Sequence, residues 1–199
     1  MKIKFISLLF VLIIIICACN NGCIKTHLSN DEREWFSVYE KGDKIIFKSN
    51  LGNFDTLVIT SVTNDFTNLD CNRMGVGKFQ QEFINVRFQP KSWDTMIQYN
   101  GGEIAIYKND PDQYVYPSFK IFGLEYDDVV QKHNFISEKI KLTSNNKSYS
   151  VYSFKEEINA TNYGKYLTSY YWNMDDGLIR YVLKKGEIFD FVKKIKLPK

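Results

Sequence analysis

LTSYYWNMDDGLIRYVLKKGEIFDFV, residues 167–192, is the stretch that decides the fold. Leu167 to Trp172 is aromatic-rich and extended in character, and Asn173 to Gly177 is turn chemistry. Leu178 to Leu183 alternates again, Lys185-Gly186 is a second turn, and Ile188 to Val192 returns. Three short runs of aromatic and β-branched residues, separated by Asn, Asp and Gly, read as an antiparallel three-stranded meander. Successive side chains on a strand face opposite ways, so Leu178, Ile179 or Tyr181 is expected in the core.

The same pattern extends outward in both directions. Ile136 to Leu142 and Ser148 to Phe154 flank the turn Ser144-Asn145-Asn146. Further back, strands are predicted at Lys44–Ser49, Phe54–Val62, Phe79–Phe88, Ser118–Phe122 and about Val129–Phe135. Pro90 is expected to end the Phe79 strand, since proline removes a ladder donor. Trp93–Tyr99 and Glu103–Tyr107 are predicted to form a hairpin through Asn100-Gly101-Gly102, because Asn-Gly takes the positive φ of tight turns. No stretch shows a convincing 3.6-residue period; residues 31–40 allow one short helix. The expected fold is mainly β: an antiparallel meander curved into a sheet, sandwich or partly open barrel, with at most one short helix.

The opening residues differ in kind. MKIKFISLLFVLIIIICACNNGC places Lys2 and Lys4 before an apolar run from Phe5 to Ile16, then three cysteines within seven residues. About twelve apolar residues fall short of the roughly 20 a spanning helix needs, so the segment reads as a secretory signal peptide and not a retained anchor. Ile16-Cys17-Ala18-Cys19 resembles the bacterial lipobox: an aliphatic residue, a tolerant position, a small residue, then the lipidated cysteine. Cys19 meets that pattern. Cys17 follows the bulky Ile16, and Cys23 has Asn20 where the aliphatic residue belongs. Cys17 itself replaces the more usual Ala or Ser at the tolerant position. The resemblance implies a signal peptide over residues 1–18, a lipid on Cys19 and a chain held at a membrane, because two or more acyl chains anchor stably. Residues 19–33 are polar without apolar period and are expected to be a tether, with order beginning near Trp35-Phe36 and one domain over 34–199.

Three further stretches carry a second resemblance. YYWNMDDGLIRYVLKKGEIFDF (170–191), GLEYDDV (123–129) and GDKIIFKSNLGNFDTLVIT (42–60) are similar to segments of small uncharacterised lipoproteins of Gram-negative bacteria. That resemblance implies a β-rich domain in the cell envelope, most simply at the outer membrane, facing the periplasm or the surface. It implies no catalytic residue.

Charge and composition narrow the rest. The chain has 26 basic and 23 acidic residues; without Lys2 and Lys4 the balance is 24 to 23, or +1, which gives no case for nucleic acid. The lysines near the end (Lys184, Lys185, Lys193, Lys194, Lys196, Lys199) alternate with apolar residues as on a solvated strand face, with weak attraction to anionic head groups as the other reading. Cys23 and Cys71 remain after processing, and an oxidising envelope permits a disulfide between them; the alternative is two unpaired thiols. Cys23, Cys71, His27 and His133 lack zinc-ligand spacing, so no metal and no cofactor is expected. Adjacent acidic pairs such as Asp127-Asp128 and Asp175-Asp176 do not face each other across a scissile bond, G-x-S-x-G is absent, and Met74 to Lys78 lacks phosphate-loop spacing. The chain is therefore expected not to be an enzyme.

Aromatics make up 16% of the chain. Tyr163, Tyr171 and Trp172 are the candidates for ring contacts with a sugar or an envelope protein, against the plainer reading of core plus ordinary surface. Two functions follow as expectations: a tethered binding or scaffold domain for an envelope protein or glycan, or a handler of lipid or another hydrophobic ligand in an apolar cavity of the curved sheet.

Overall fold

The computed structural model describes residues 23–67, 79–91, 101–108, 115–127, 136–155 and 167–197. The fold is mainly β. Among these residues twelve strands and one five-residue helix appear in the order β1 (Ile24–Thr26), α1 (Asn30–Glu34), β2 (Lys44–Ser49), β3 (Phe54–Phe66), β4 (Phe79–Pro90), β5 (Gly102–Tyr107), β6 (Tyr116–Ile121), β7 (Leu124–Asp127), β8 (Ile136–Lys141), β9 (Ser148–Lys155), β10 (Leu167–Asn173), β11 (Gly177–Leu183) and β12 (Ile188–Ile195). Eleven of them form one antiparallel path, β7-β6-β5-β4-β3-β2-β12-β11-β10-β9-β8. Two meanders are thus joined where the last strand pairs with the first long one, Phe191 opposite Phe47. The sheet curls into a half-barrel whose ends are β7 and β8.

Alternation explains the curl's interior. Ile45 and Phe47 on β2, Leu57 and Ile59 on β3, and Val86 and Phe88 on β4 are all buried at every second position. The final meander is present as read. Tyr181 stacks on Phe189 of the neighbouring strand with ring centroids 4.9 Å apart, and Leu178, Ile179 and Tyr181 are all buried. A bulge between Tyr171 and Trp172 skips one residue of β11, so Leu178 and Ile179 are buried together.

Several expectations require correction. The tether does not extend to residue 33. From Ile24 onward the chain packs on the domain: β1 pairs in parallel with Phe79–Gln81 of β4, and Thr26 and Leu28 are buried. Order therefore begins at least ten residues before Trp35, and α1 starts at Asn30 under a Ser29–Glu32 capping box. Of the hairpin expected between Trp93–Tyr99 and Glu103–Tyr107, Trp93 to Asn100 lie outside the described residues, and β5 offers them no unpaired edge. All of β5 is paired on one side with β4 and on the other with β6. The glycines serve close packing there: a Cβ on Gly102 would overlap the Phe88 ring. β7 is a strand the sequence reading did not predict, while the expected Val129–Phe135 strand lies outside the described residues up to position 135. Lys194 is not simply solvated. It is half-buried and its Nζ donates to the Val38 carbonyl at 2.8 Å; burial lowers its pKa.

Candidate functional site

Buried charge comes first, because it is where chemistry would require an uncommitted group. Glu82 on β4 is buried, and every partner it has comes from the N-terminal segment. Arg33 donates to it through Nε at 3.1 Å and Nη2 at 2.7 Å, the Leu28 amide donates at 3.1 Å, and His27 Nδ1 lies 3.3 Å away. Burial pushes this carboxyl up, but the hydrogen bonds from Arg33, Leu28 and His27 outweigh it and hold the carboxyl below its ordinary value. His27 also packs edge-on against Phe66, so the imidazole belongs to the domain and not to a tether.

Asp190 on β12 repeats this arrangement. Tyr181 and Phe189 face the aromatic interior, so Arg180 and Asp190, one position away, face outward. The β8–β9 turn folds over them. Thr143 donates to Asp190 Oδ2 from both its amide and its hydroxyl at 2.7 Å, and Arg180 donates from Nε at 2.5 Å and Nη2 at 3.0 Å. Ser144 Oγ donates to the Phe191 carbonyl at 2.6 Å. The carboxyl is again held low: burial raises it, and Arg180 and Thr143 outweigh that. Tyr181 donates to Asp55 at 2.6 Å, and Tyr39 Oη accepts from the Leu178 amide at 2.8 Å. These buried polar groups are committed to holding strands together. Among the described residues no three His, Cys, Asp or Glu side chains come together as a metal site.

The third arrangement is different. Among the described residues no strand pairing joins the two ends of the half-barrel, β7 and β8, and aromatic rings bridge that seam. From the β6–β7 side, Phe119 and Tyr126 meet Phe154 of β9 at centroid distances of 4.8 Å. Phe154 stacks on Tyr170 at 4.7 Å, and Phe119 meets Trp172 at 5.4 Å. The N-terminal segment fills the same space: Trp35 stacks on Tyr152 at 4.9 Å, and Phe36 and Tyr39 lean on Trp172. Within this packing Tyr170 Oη and Trp172 Nε1 are buried with no hydrogen-bond partner among the described residues. Burial pushes the Tyr170 phenol far above its ordinary value, with Tyr126 and Glu125 of β7 adding to the rise, so it stays a protonated donor. Two unmatched donors in an aromatic seam are what an oxygen-bearing group needs; left alone each costs about 1–3 kcal/mol.

The residues singled out from sequence fall as follows. Cys19, Cys71 and Tyr163 lie outside the described residues. Cys23 is disulfide-bonded. Tyr171 is half-buried on the outer face, with the Arg180 guanidinium 5.9 Å from its ring centre. Trp172 is not a surface contact: it is fully buried, because it shares the inward face with Tyr170 two residues earlier. Tyr170 is not among the residues singled out from sequence, which gives no signal that its hydroxyl would lack a partner. No family model, curated protein or solved structure matches this chain.

Proposed function

We propose that this chain is an envelope lipoprotein, anchored through a lipid on Cys19, whose β-rich domain is a non-catalytic binding module with the aromatic seam as its site. The observation that carries the binding role is the pair of orphaned donors, Tyr170 Oη and Trp172 Nε1, set among stacked rings where, among the described residues, no strand pairing joins the sheet's two ends. Rings give apolar contact and the donors give orientation, the usual division of labour in a ligand site. The buried carboxylates support the non-catalytic part, since Glu82 and Asp190 are each saturated by donors of the chain itself. The anchor rests on the lipobox resemblance, and the Cys23 disulfide supports it: a sulfur in a disulfide cannot also carry a thioether, so Cys23 does not compete with Cys19. The seam favours a sugar ring or a protein side chain over a long acyl chain, because rings from both sides already meet across the interior.

Site-specific photocrosslinking from position 152, in intact envelopes, tests this reading. Tyr152 is half-buried at the seam, and a probe there is expected to give a discrete adduct to a glycan or an envelope protein. Tyr170→Phe should weaken the adduct. A pattern indistinguishable from that of a probe at exposed Ser137 contradicts the site.

A further inference from the structure

The β2–β3 turn carries two apolar side chains into solvent: Leu51 is 71% exposed and Phe54 65%. Single exposed apolar residues are ordinary. Here two of them flank one turn, and that turn is tied down by hydrogen bonds. Ser49 Oγ accepts from the amides of Leu51 at 3.2 Å and Asn53 at 3.0 Å, the Gly52 amide donates to the Ser49 carbonyl at 3.0 Å, and Gly52 takes a φ of 89°. The side chains are therefore held outward and do not collapse onto the sheet.

The neighbouring β11–β12 turn is fastened alongside. The Asn50 amide donates to the Ile188 carbonyl at 2.9 Å, the Ile188 amide donates to Asn50 Oδ1 at 3.0 Å, and Asn53 Nδ2 donates to Glu187 at 2.8 Å. This second turn brings exposed Lys185 to the tip, and exposed Lys48 sits with its ammonium 5.7 Å from the Phe54 ring centre. Glu187, the acidic residue in these two turns, is already engaged by Asn53. Among the described residues the tip is thus an exposed apolar pair with Lys48 and Lys185 beside it.

We infer that the Leu51/Phe54 tip, with Lys48 and Lys185 beside it, docks on an anionic lipid surface. A projecting pair of apolar side chains suits insertion at the headgroup boundary, and a basic collar suits the negative charge just above it. An apolar protein groove would accept the two side chains but would give the collar no counter-charge. The inference stands on the described residues and does not depend on lipid at Cys19 or on the seam. β3 carries 13 residues, so the tip lies about 40 Å along the strand from Phe66 and the Cys23 end. With an anchor at Cys19, both contacts reach one bilayer when β3 lies along its surface.

Hydroxyl-radical footprinting of the full chain tests this, because it reads each side chain separately whether or not the chain is otherwise bound. The chain is mixed with vesicles of phosphatidylcholine, with or without phosphatidylglycerol. Leu51 and Phe54 should be oxidised several-fold less with phosphatidylglycerol present, while Leu197, 53% exposed at the other end, is unchanged. The protection should fade in about 1 M salt, where the screening length falls to ~3 Å. Lys48→Gln with Lys185→Gln should raise the lipid concentration needed for protection by roughly tenfold. Equal oxidation with and without phosphatidylglycerol overturns the inference. So does protection in native envelopes that no vesicle reproduces, which would assign the tip to an acidic protein.

Discussion

Arg33 and Glu82, 49 positions apart, form a bidentate pair, with Nη2 at 2.7 Å and Nε at 3.1 Å from the two carboxylate oxygens. That pair fixes the N-terminal segment to the sheet. β1 begins at Ile24, so Asn20 to Cys23 separate the proposed lipid at Cys19 from the sheet.

Arg33→Ala is expected to destabilise the domain by about 2 kcal/mol, below the range for fully buried pairs because Arg33 is 35% exposed. Urea denaturation measures this. Limited proteolysis should also cut the variant near residues 24–33 before the rest unfolds. An unchanged midpoint would mean that Thr26 and Leu28 alone hold the segment.

Stability should fall in acid. Glu82 and Asp190 are both held below their ordinary values of 4.5 and 3.8 by their hydrogen-bonding partners. The unfolded chain then takes up protons at a higher pH than the folded one. Their contribution is complete above the ordinary values and is lost as pH drops through the lower folded ones. The melting temperature of the wild type should drop steeply below about pH 4, and Glu82→Gln with Asp190→Asn should flatten that drop. Parallel curves for the two proteins would remove these carboxylates from the account.

Two tyrosine-to-phenylalanine changes should have opposite signs. Tyr181→Phe removes a hydroxyl that donates to buried Asp55 and should cost about 2 kcal/mol. Tyr170→Phe removes a buried hydroxyl with no partner and should be neutral or stabilising by up to about 1 kcal/mol. Equal losses in urea titrations of the two variants would mean that Tyr170 has an acceptor after all, and the seam would lose its distinguishing feature.

Gly177 and Gly186 offer another paired comparison. Both have φ near 80°, at 82° and 83°, but a Cβ on Gly177 would overlap Tyr39 while one on Gly186 meets open space. Gly186→Ala should cost only the backbone strain of about 1–2 kcal/mol. Gly177→Ala should cost at least about 1 kcal/mol more, because Tyr39 must give up the Leu178 amide. Equal costs by thermal melting would show the Tyr39 contact to be dispensable.

The reach of the sequence follows from which interactions are local. Lys44–Ser49 and Ser148–Phe154 were legible because alternation and turn residues lie within the strands themselves. Ile24–Thr26 was not, because three residues show no period and their burial depends on β4, some 55 positions away. Its neighbour was legible in principle: Ser29 and Glu32 spell a capping box, a local signal of the helix that follows. Asn100-Gly101-Gly102 misled because β4 and β6 occupy both edges of β5, a fact of sheet order. Trp172 was assignable to the interior by the same alternation that placed Tyr171 outside. The orphaned state of Tyr170 was beyond sequence, since it depends on what Phe119, Tyr126 and Phe154 leave unoffered.

Cys23 is disulfide-bonded, and Cys71 is the partner we propose. A folded chain beginning at Asn20 should be lighter by two hydrogens before reduction than after, and a peptide linking Cys23 to Cys71 should be recovered. Closing a loop of about 48 residues contributes ~4 kcal/mol in the chain-entropy model, so Cys71→Ala should lower the urea midpoint markedly. Labelling of both residues as free thiols in envelope-purified protein would contradict the pairing.

The proposed lipid anchor on Cys19 is read out by metabolic palmitate labelling with gel mobility. Wild type, Cys17→Ser and Cys23→Ser are expected to incorporate label and run as the shorter, processed form. Cys19→Ala is expected to remain an unlabelled, longer precursor, still membrane-associated through Phe5 to Ile16, so mobility and label decide and fractionation does not. Incorporation of label into Cys19→Ala would contradict the account.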